Sequence, residues 1–228
     1  MKKTYTTVIL FITFFSTVIF SQTPTYELTT RNFRFSNDCG YWNSVDFDIH
    51  IRNTGSTQFE YSGGQYFFSF NPAIANGGSL TYELVSSELP VNMRPRSPSI
   101  GSATSPTATV LRTAVNVFPG AGSGYIVPST SPGVKIATMR LKTSSISFTE
   151  DVLGNLAWRN PPIVALATKI FAYVGSSNTD ITTSATHSII YAFCGPHFAS
   201  EELIPWDCCL FTHAVSTNFI PEGLYNSS

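Results

Sequence analysis

The sequence predicts an all-β fold, an antiparallel two-sheet β-sandwich of jelly-roll or immunoglobulin-like layout, preceded by a signal peptide. Three observations carry this. Short runs alternating between apolar and polar residues, bounded by Gly, Pro and Asn, recur along most of the chain. Phe (18) and Tyr (10) are plentiful, and aromatic side chains suit pleated, half-buried strands better than helices. Finally, no stretch after residue 21 carries the apolar period of an amphipathic helix.

The N-terminus predicts export. Lys2 and Lys3 precede an apolar run from Val8 to Phe20, broken only by Thr13, Ser16 and Thr17, and the small Ser21 follows. That order is the layout of a secretory signal peptide, residues 1–21, with a mature chain starting at Gln22. The run is short of the ~20 apolar residues that span a bilayer, and no later stretch is long enough, so no membrane span is expected in the mature chain. Cleavage removes two lysines and no acid, leaving 11 basic against 14 acidic residues. A net charge of that sign gives no reason to expect nucleic acid as a partner. Charged residues are only 12% of the chain against 43% hydrophobic, which suits a large core rather than disorder.

Residues 22–194 read as the sandwich domain. Ser44 to Arg52 alternates strictly, with Val45, Phe47, Ile49 and Ile51 on one face. Asp46, Asp48, His50 and Arg52 fall on the other, expected to be wet. Asn53-Thr54-Gly55 then signals a turn. Residues 59–78, FEYSGGQYFFSFNPAIANGG, set a strand with Tyr66, Phe68 and Phe70 on one face between two glycine pairs. Leu80 to Val85 follows as the next strand. Residues 90–108 read as a Pro/Ser/Thr-rich loop, with Pro95 and Pro98 expected to exclude regular pairing. Val110 to Phe118, Val134 to Leu141, Asn155 to Trp158, Ile163 to Val174, Asp180 to Thr186 and Ser188 to Phe193 complete the strands. Val45, Phe47, Ile49, Phe68, Phe70, Leu111, Val115, Ile136, Met139, Trp158 and Ile170 form the expected core. Residues 195–228 lose all period and read as an irregular tail.

The search for chemistry is mostly negative. There is no GxSxG, HExxH, P-loop or EF-hand loop. Gly120-x-Gly122-x-Gly124 has phosphate-loop spacing, but the extended Tyr125-Ile126-Val127-Pro128 follows where a helix would have to start, so it reads as a hairpin or loop. Glu150-Asp151 reads as a solvated turn, and Asp46 with Asp48 falls short of the six or more oxygens that calcium requires. Cys194, His197, Cys208, Cys209 and His213 fit no zinc-finger spacing. No catalytic residue, metal site or cofactor is therefore expected. Export makes disulfides possible, and Cys39–Cys194 is the candidate bridge. Flat aromatic faces pack on sugar rings, which makes Trp42, Tyr61, Tyr66 and Trp158 the candidate carbohydrate-binding residues.

The segments FEYSGGQYFFSFNPAIANGGSLTY, LRTAVNVFPGAGSGYIV, PGVKIATMRLKTS and NLAWRN, spread over about residues 25–190, resemble a module of large bacterial exported proteins. Those proteins commonly end in a type IX secretion sorting domain, and the module is similar to cohesin and carbohydrate-binding β-sandwiches. The resemblance implies a cohesin-like sandwich with no catalytic activity, displayed outside the cell or at its surface. A structural, adhesive or protein-interaction role follows, with polysaccharide binding as the alternative; it assigns no site residues. The sorting domain is missing here, and TNFIPEGLYNSS resembles the opening strand of a further β-domain. That departure implies a truncated or frameshifted product, and a periplasmic location if so.

Overall fold

A computed structural model describes residues 23–38, 41–102, 109–115, 118–149, 156–162 and 165–191. The signal peptide 1–21, the cysteines 39, 194, 208 and 209, Glu150-Asp151 and the tail 195–228 all lie outside the described residues.

The described chain is all-β. Its strands are β1 (Tyr26–Asp38), β2 (Tyr41–Asn53), β3 (Glu60–Phe70), β4 (Leu80–Ser86), β5 (Arg96–Ser102) and β6 (Thr109–Ala114), then β7 (Tyr125–Ile126), β8 (Val134–Thr143), β9 (Ala157–Trp158), β10 (Lys169–Val174), β11 (Ser177–Asp180) and β12 (His187–Ile189). They form two sheets. One has the order β12-β1-β2-β8-β4; the other has the order β11-β10-β3-β6-β5, with β7 and β9 also pairing with β3. All pairings are antiparallel except β1 with β12, which run parallel. This is the two-sheet sandwich that the alternation predicts.

The core lies between the sheets. Phe47, Ile49, Phe68, Leu111, Ile136, Met139 and Ile170 are essentially inaccessible, with Val45 and Phe70 buried beside them, whereas Val115 is buried outside this cluster, near Phe118. Trp158 is half-buried and stacks on Phe68 with ring centroids 4.1 Å apart. Each fully buried large apolar side chain contributes about 1.5–3 kcal/mol of transfer free energy, which makes this layer the main source of stability.

The structure corrects three expectations. Strand β1 has no counterpart in the sequence reading, because Asn32 adopts a left-handed conformation (φ 56°) and the pairing with β2 shifts between Arg31 and Arg34. That bulge moves the buried positions from Tyr26, Leu28 and Thr30 to Phe33, so simple alternation fails across it. Strand β5 forms despite Pro98, with Pro95 just outside it. It is an edge strand, and its pairing with β6 skips between Arg96 and Ser99, so Pro98 sits where no ladder bond is required.

The third correction concerns the polar face of β2. Asp48 and His50 are 5% and 6% exposed, not wet. Neighbouring strands cover them: His50 pairs across with Thr29 and Lys135, and Asp48 with Arg31 and Thr138. Asp48 accepts hydrogen bonds from Asn32 Nδ2, from both terminal nitrogens of Arg34 and from Thr138 Oγ1, at 2.7–3.1 Å. Burial pushes its carboxyl up, but those bonds and the Arg34 charge outweigh burial and hold it at about 2. His50 has both ring nitrogens buried without a hydrogen-bond partner among the described residues, and burial lowers its pKa.

Candidate functional site

The four aromatics proposed as sugar stackers do not form a platform. Tyr61 and Tyr66 are 0% exposed and hydrogen-bond each other through their hydroxyls inside the core. Burial raises both phenols well above their ordinary value. Gly64 explains the neighbouring glycine: a Cβ there would lie 2.6 Å from the Tyr66 hydroxyl, so its absence makes room for the ring. The aromatics Phe59, Tyr61, Tyr66, Phe67, Phe68 and Phe70 of this stretch are therefore buried, and Tyr61 and Tyr66 have no face to offer a sugar. Trp158 belongs to the seven-stranded sheet, where its ring is taken by Phe68 and its Nε1 donates to the Ser188 carbonyl at 3.0 Å. Trp42 lies on the other sheet, edge-on to Phe35 at 6.0 Å.

Beside Trp158, β12 is held by a defined hydrogen-bond chain. The Thr183 amide donates to the Tyr26 hydroxyl at 3.0 Å, and that hydroxyl lies 2.8 Å from His187 Nε2. His187 Nδ1 lies 2.6 Å from Asn160 Oδ1. Read as a neutral ring with its proton on Nδ1, every donor meets an acceptor: Nδ1–H donates to Asn160, and Nε2 accepts from Tyr26. Burial pushes the imidazole down to about 4, which agrees with that neutral form.

The Gly120-x-Gly122-x-Gly124 loop does cradle an anion, and the anion belongs to the protein. The backbone N–H groups of Gly122 and Gly124 donate to the two carboxylate oxygens of Glu60, at 3.0 and 2.5 Å. Gly120 N–H donates to the Tyr173 hydroxyl at 2.8 Å. The donors that a phosphate would need are thus satisfied from within. A Cβ on Gly124 would come within 2.6 Å of the Tyr61 carbonyl and of Glu60 Cγ, so this approach requires glycine.

Four further carboxylates are likewise committed. Glu27 pairs with Arg52, Asp46 with Arg140 and Asp180 with Lys169, at 2.6–3.0 Å. Glu88 accepts from the Lys135 amide at 2.8 Å. Burial pushes Asp180 up, but bonds from Thr182 and Lys169 bring it below the ordinary carboxylate value. That is opposite to the raised value a general acid needs. Asp46 and Asp48 face guanidinium groups instead of sharing an open cation site. No group of three or more potential metal ligands occurs among the described residues.

Open surface of a different character lies at one end of the seven-stranded sheet. A cleft of about 160 Å³ is bounded by residues 23–25, the 55–59 loop and the β10–β11 turn. Phe59 and Tyr173 supply its rings, and Thr23, Ser56, Thr57 and Gln58 supply hydroxyl and amide groups. No lining residue carries a charge at neutral pH. Sequence reasoning missed it because its walls come from three separate loops, none with a motif.

No protein-family model matches this chain, and no curated protein matches it. Among solved structures it is similar to the carbohydrate-binding module CBM3b from the cellulosomal cellobiohydrolase 9A of Clostridium thermocellum. The identity is 12% over 72% of this chain and 99% of that one, with a TM-score of 0.34. It is also similar to a chain of an N-terminal interface mutant of a type II cohesin-X-dockerin complex from Acetivibrio cellulolyticus. There the identity is 14% over 73% of this chain and 95% of that one, with a TM-score of 0.33. Neither assigns a ligand or a partner to this chain.

Proposed function

We propose that this chain is a non-catalytic exported β-sandwich module with a structural, adhesive or protein-interaction role at the cell surface or outside the cell. The observation that carries the non-catalytic part is the state of the carboxylates. Glu27, Asp46, Asp48, Glu60, Glu88 and Asp180 each accept a hydrogen bond from the protein itself. Glycosidase chemistry needs paired carboxylates facing a cleft, and its general acid must be protonated near neutral pH. Here they face arginines, lysines and backbone amides. Export rests on the apolar run and on Ser21.

Fractionation of cells expressing the full chain, with N-terminal sequencing, tests this reading. The expected product begins at Gln22 and lies outside the cytoplasm. Retention in the cytoplasm with Met1 intact would overturn it. A second reading, a polysaccharide-binding module, is favoured by one observation, the uncharged cleft beside Tyr173.

A further inference from the structure

The two outer faces of the sandwich differ in what they leave uncommitted. On the five-stranded sheet, Glu27–Arg52, Asp48–Arg34 and Asp46–Arg140 pair across adjacent strands and saturate one another. On the seven-stranded sheet, the loop after β6 places Phe118, 43% exposed, against Phe171 with centroids 5.3 Å apart. Tyr173, two residues further along β10, points to the same side as Phe171, about 7 Å away at strand spacing. The Gly120 amide fixes the Tyr173 hydroxyl, so the ring stays in place without a ligand. Tyr173 also lines the uncharged cleft.

The polar lining of that cleft is uncommitted. The side chains of Thr23, Ser56, Thr57 and Gln58 make no hydrogen bond among the described residues. A held aromatic ring beside neutral donors and acceptors suits a ligand with an apolar C–H face and hydroxyls at its rim. Glu60, next in sequence to Phe59, has both carboxylate oxygens engaged by backbone N–H groups. An anionic ligand would find no cation in the lining, and a cationic one no free carboxylate. At about 160 Å³ the cleft is smaller than the ~300 Å³ of a drug-sized pocket, which fits one ring of a longer chain.

We propose that the cleft formed by residues 23–25, 55–59 and 173–175 is a subsite for a neutral polysaccharide, with Tyr173 stacking on one sugar ring and Thr57 and Gln58 hydrogen-bonding its hydroxyls. This deepens the polysaccharide-binding reading and rests on it. Protein purified after expression of the full chain is titrated calorimetrically with cellohexaose, xylohexaose, mannohexaose, chitohexaose and the anionic hexagalacturonate. At least one neutral hexaose binds. Tyr173→Ala and Gln58→Ala each weaken that binding tenfold or more, whereas Tyr173→Phe keeps most of it and Phe35→Ala, on the opposite sheet, leaves it unchanged. Thr57→Trp fills the cleft from an exposed position and abolishes binding in a folded protein, which covers the case in which Tyr173→Ala unfolds. Binding that survives Gln58→Ala and Thr57→Trp overturns the site but not the polysaccharide reading. Preference for hexagalacturonate overturns the neutral class. Absence of binding to all five overturns subsite and polysaccharide reading together, and leaves export and display to stand on fractionation.

Discussion

Acid should weaken this sandwich at the seam where β12 joins β1. His187 sits there between Tyr26 and Asn160, and burial holds its pKa at about 4 against an ordinary 6.5. Between those values the unfolded chain binds a proton that the folded chain refuses. The contribution is therefore complete above about pH 6.5 and lost as pH falls towards about 4. A depression of that size corresponds to at most about 3 kcal/mol. Structurally, a proton on Nε2 would face the Tyr26 hydroxyl, which already accepts the Thr183 amide and donates to the ring. Asp48 and Asp180 lie below the ordinary carboxylate value, so their loss comes at lower pH. Burial lowers His50 too, so its contribution is lost in the same direction and must be separated by mutation. Urea melts of wild type, His187→Gln and His50→Gln followed by tryptophan fluorescence make the comparison. Wild type should lose about 2 kcal/mol more than His187→Gln between roughly pH 7 and pH 4.5. Parallel pH profiles for those two proteins would refute the assignment.

The remaining predictions concern stability at neutral pH. Phe70→Ala should cost about 3–5 kcal/mol in the same melts, because its ring is buried between the sheets; a loss below about 1 kcal/mol would mean that the site collapses or that the ring is exposed. Asp48→Asn removes the charge that Arg34, Asn32 and Thr138 converge on, and should cost about 2 kcal/mol. That is less than for a fully buried pair because the Arg34 side chain is 44% exposed, and an unchanged midpoint would refute it. Asp48's contribution is present above about pH 3.8 and lost as pH falls towards about 2, so the variant should show a shallower acid limb. Gly122→Ala should cost about 1 kcal/mol, since φ is +82° but a Cβ would meet open space. Gly124→Ala should cost more, because its Cβ would strike the Tyr61 carbonyl; the reverse order in thermal melts would count against the Glu60 cradle.

The fold was legible where period-2 alternation runs unbroken. In β2 Val45, Phe47, Ile49 and Ile51 sit two positions apart, as do Tyr66, Phe68 and Phe70 in β3, and these expected residues are buried. Strand β8 buries the expected Ile136 and Met139 although its pairing with β2 shifts between Lys135 and Ala137. Strand β1 was illegible because one left-handed residue, Asn32, flips the pattern midway. Strand β5 was hidden because proline was taken to exclude pairing, whereas an edge strand with a bulge accommodates it. The burial of Asp48 and His50 has a different origin. Alternation tells which residues share a face, but not whether side chains from the adjoining strands cover that face. Tyr61 and Tyr66 fail as stackers for the same reason, because an aromatic rich in contacts with glycine can be packed as readily as displayed.

The glycine loop connects these lessons to function. Sequence spacing pointed to an anion cradle, and the chemistry of that motif is present; what the spacing could not show is that Glu60, 62 residues before Gly122 and 64 before Gly124, already occupies it. The cradle thereby becomes a clasp: it holds Gly120 against Tyr173 and lays Phe118 over Phe171, keeping both rings on the outer side of β10. A surface whose rings are braced before any ligand arrives pays little ordering entropy on binding. On the five-stranded sheet the carboxylates Asp48, Glu27 and Asp46 are taken by Arg34, Arg52 and Arg140, and the unpartnered His50 nitrogens are buried where a ligand does not reach them. Recognition by this sandwich is therefore best sought at the β10 end of the seven-stranded sheet, where polar groups and rings are held but unspent.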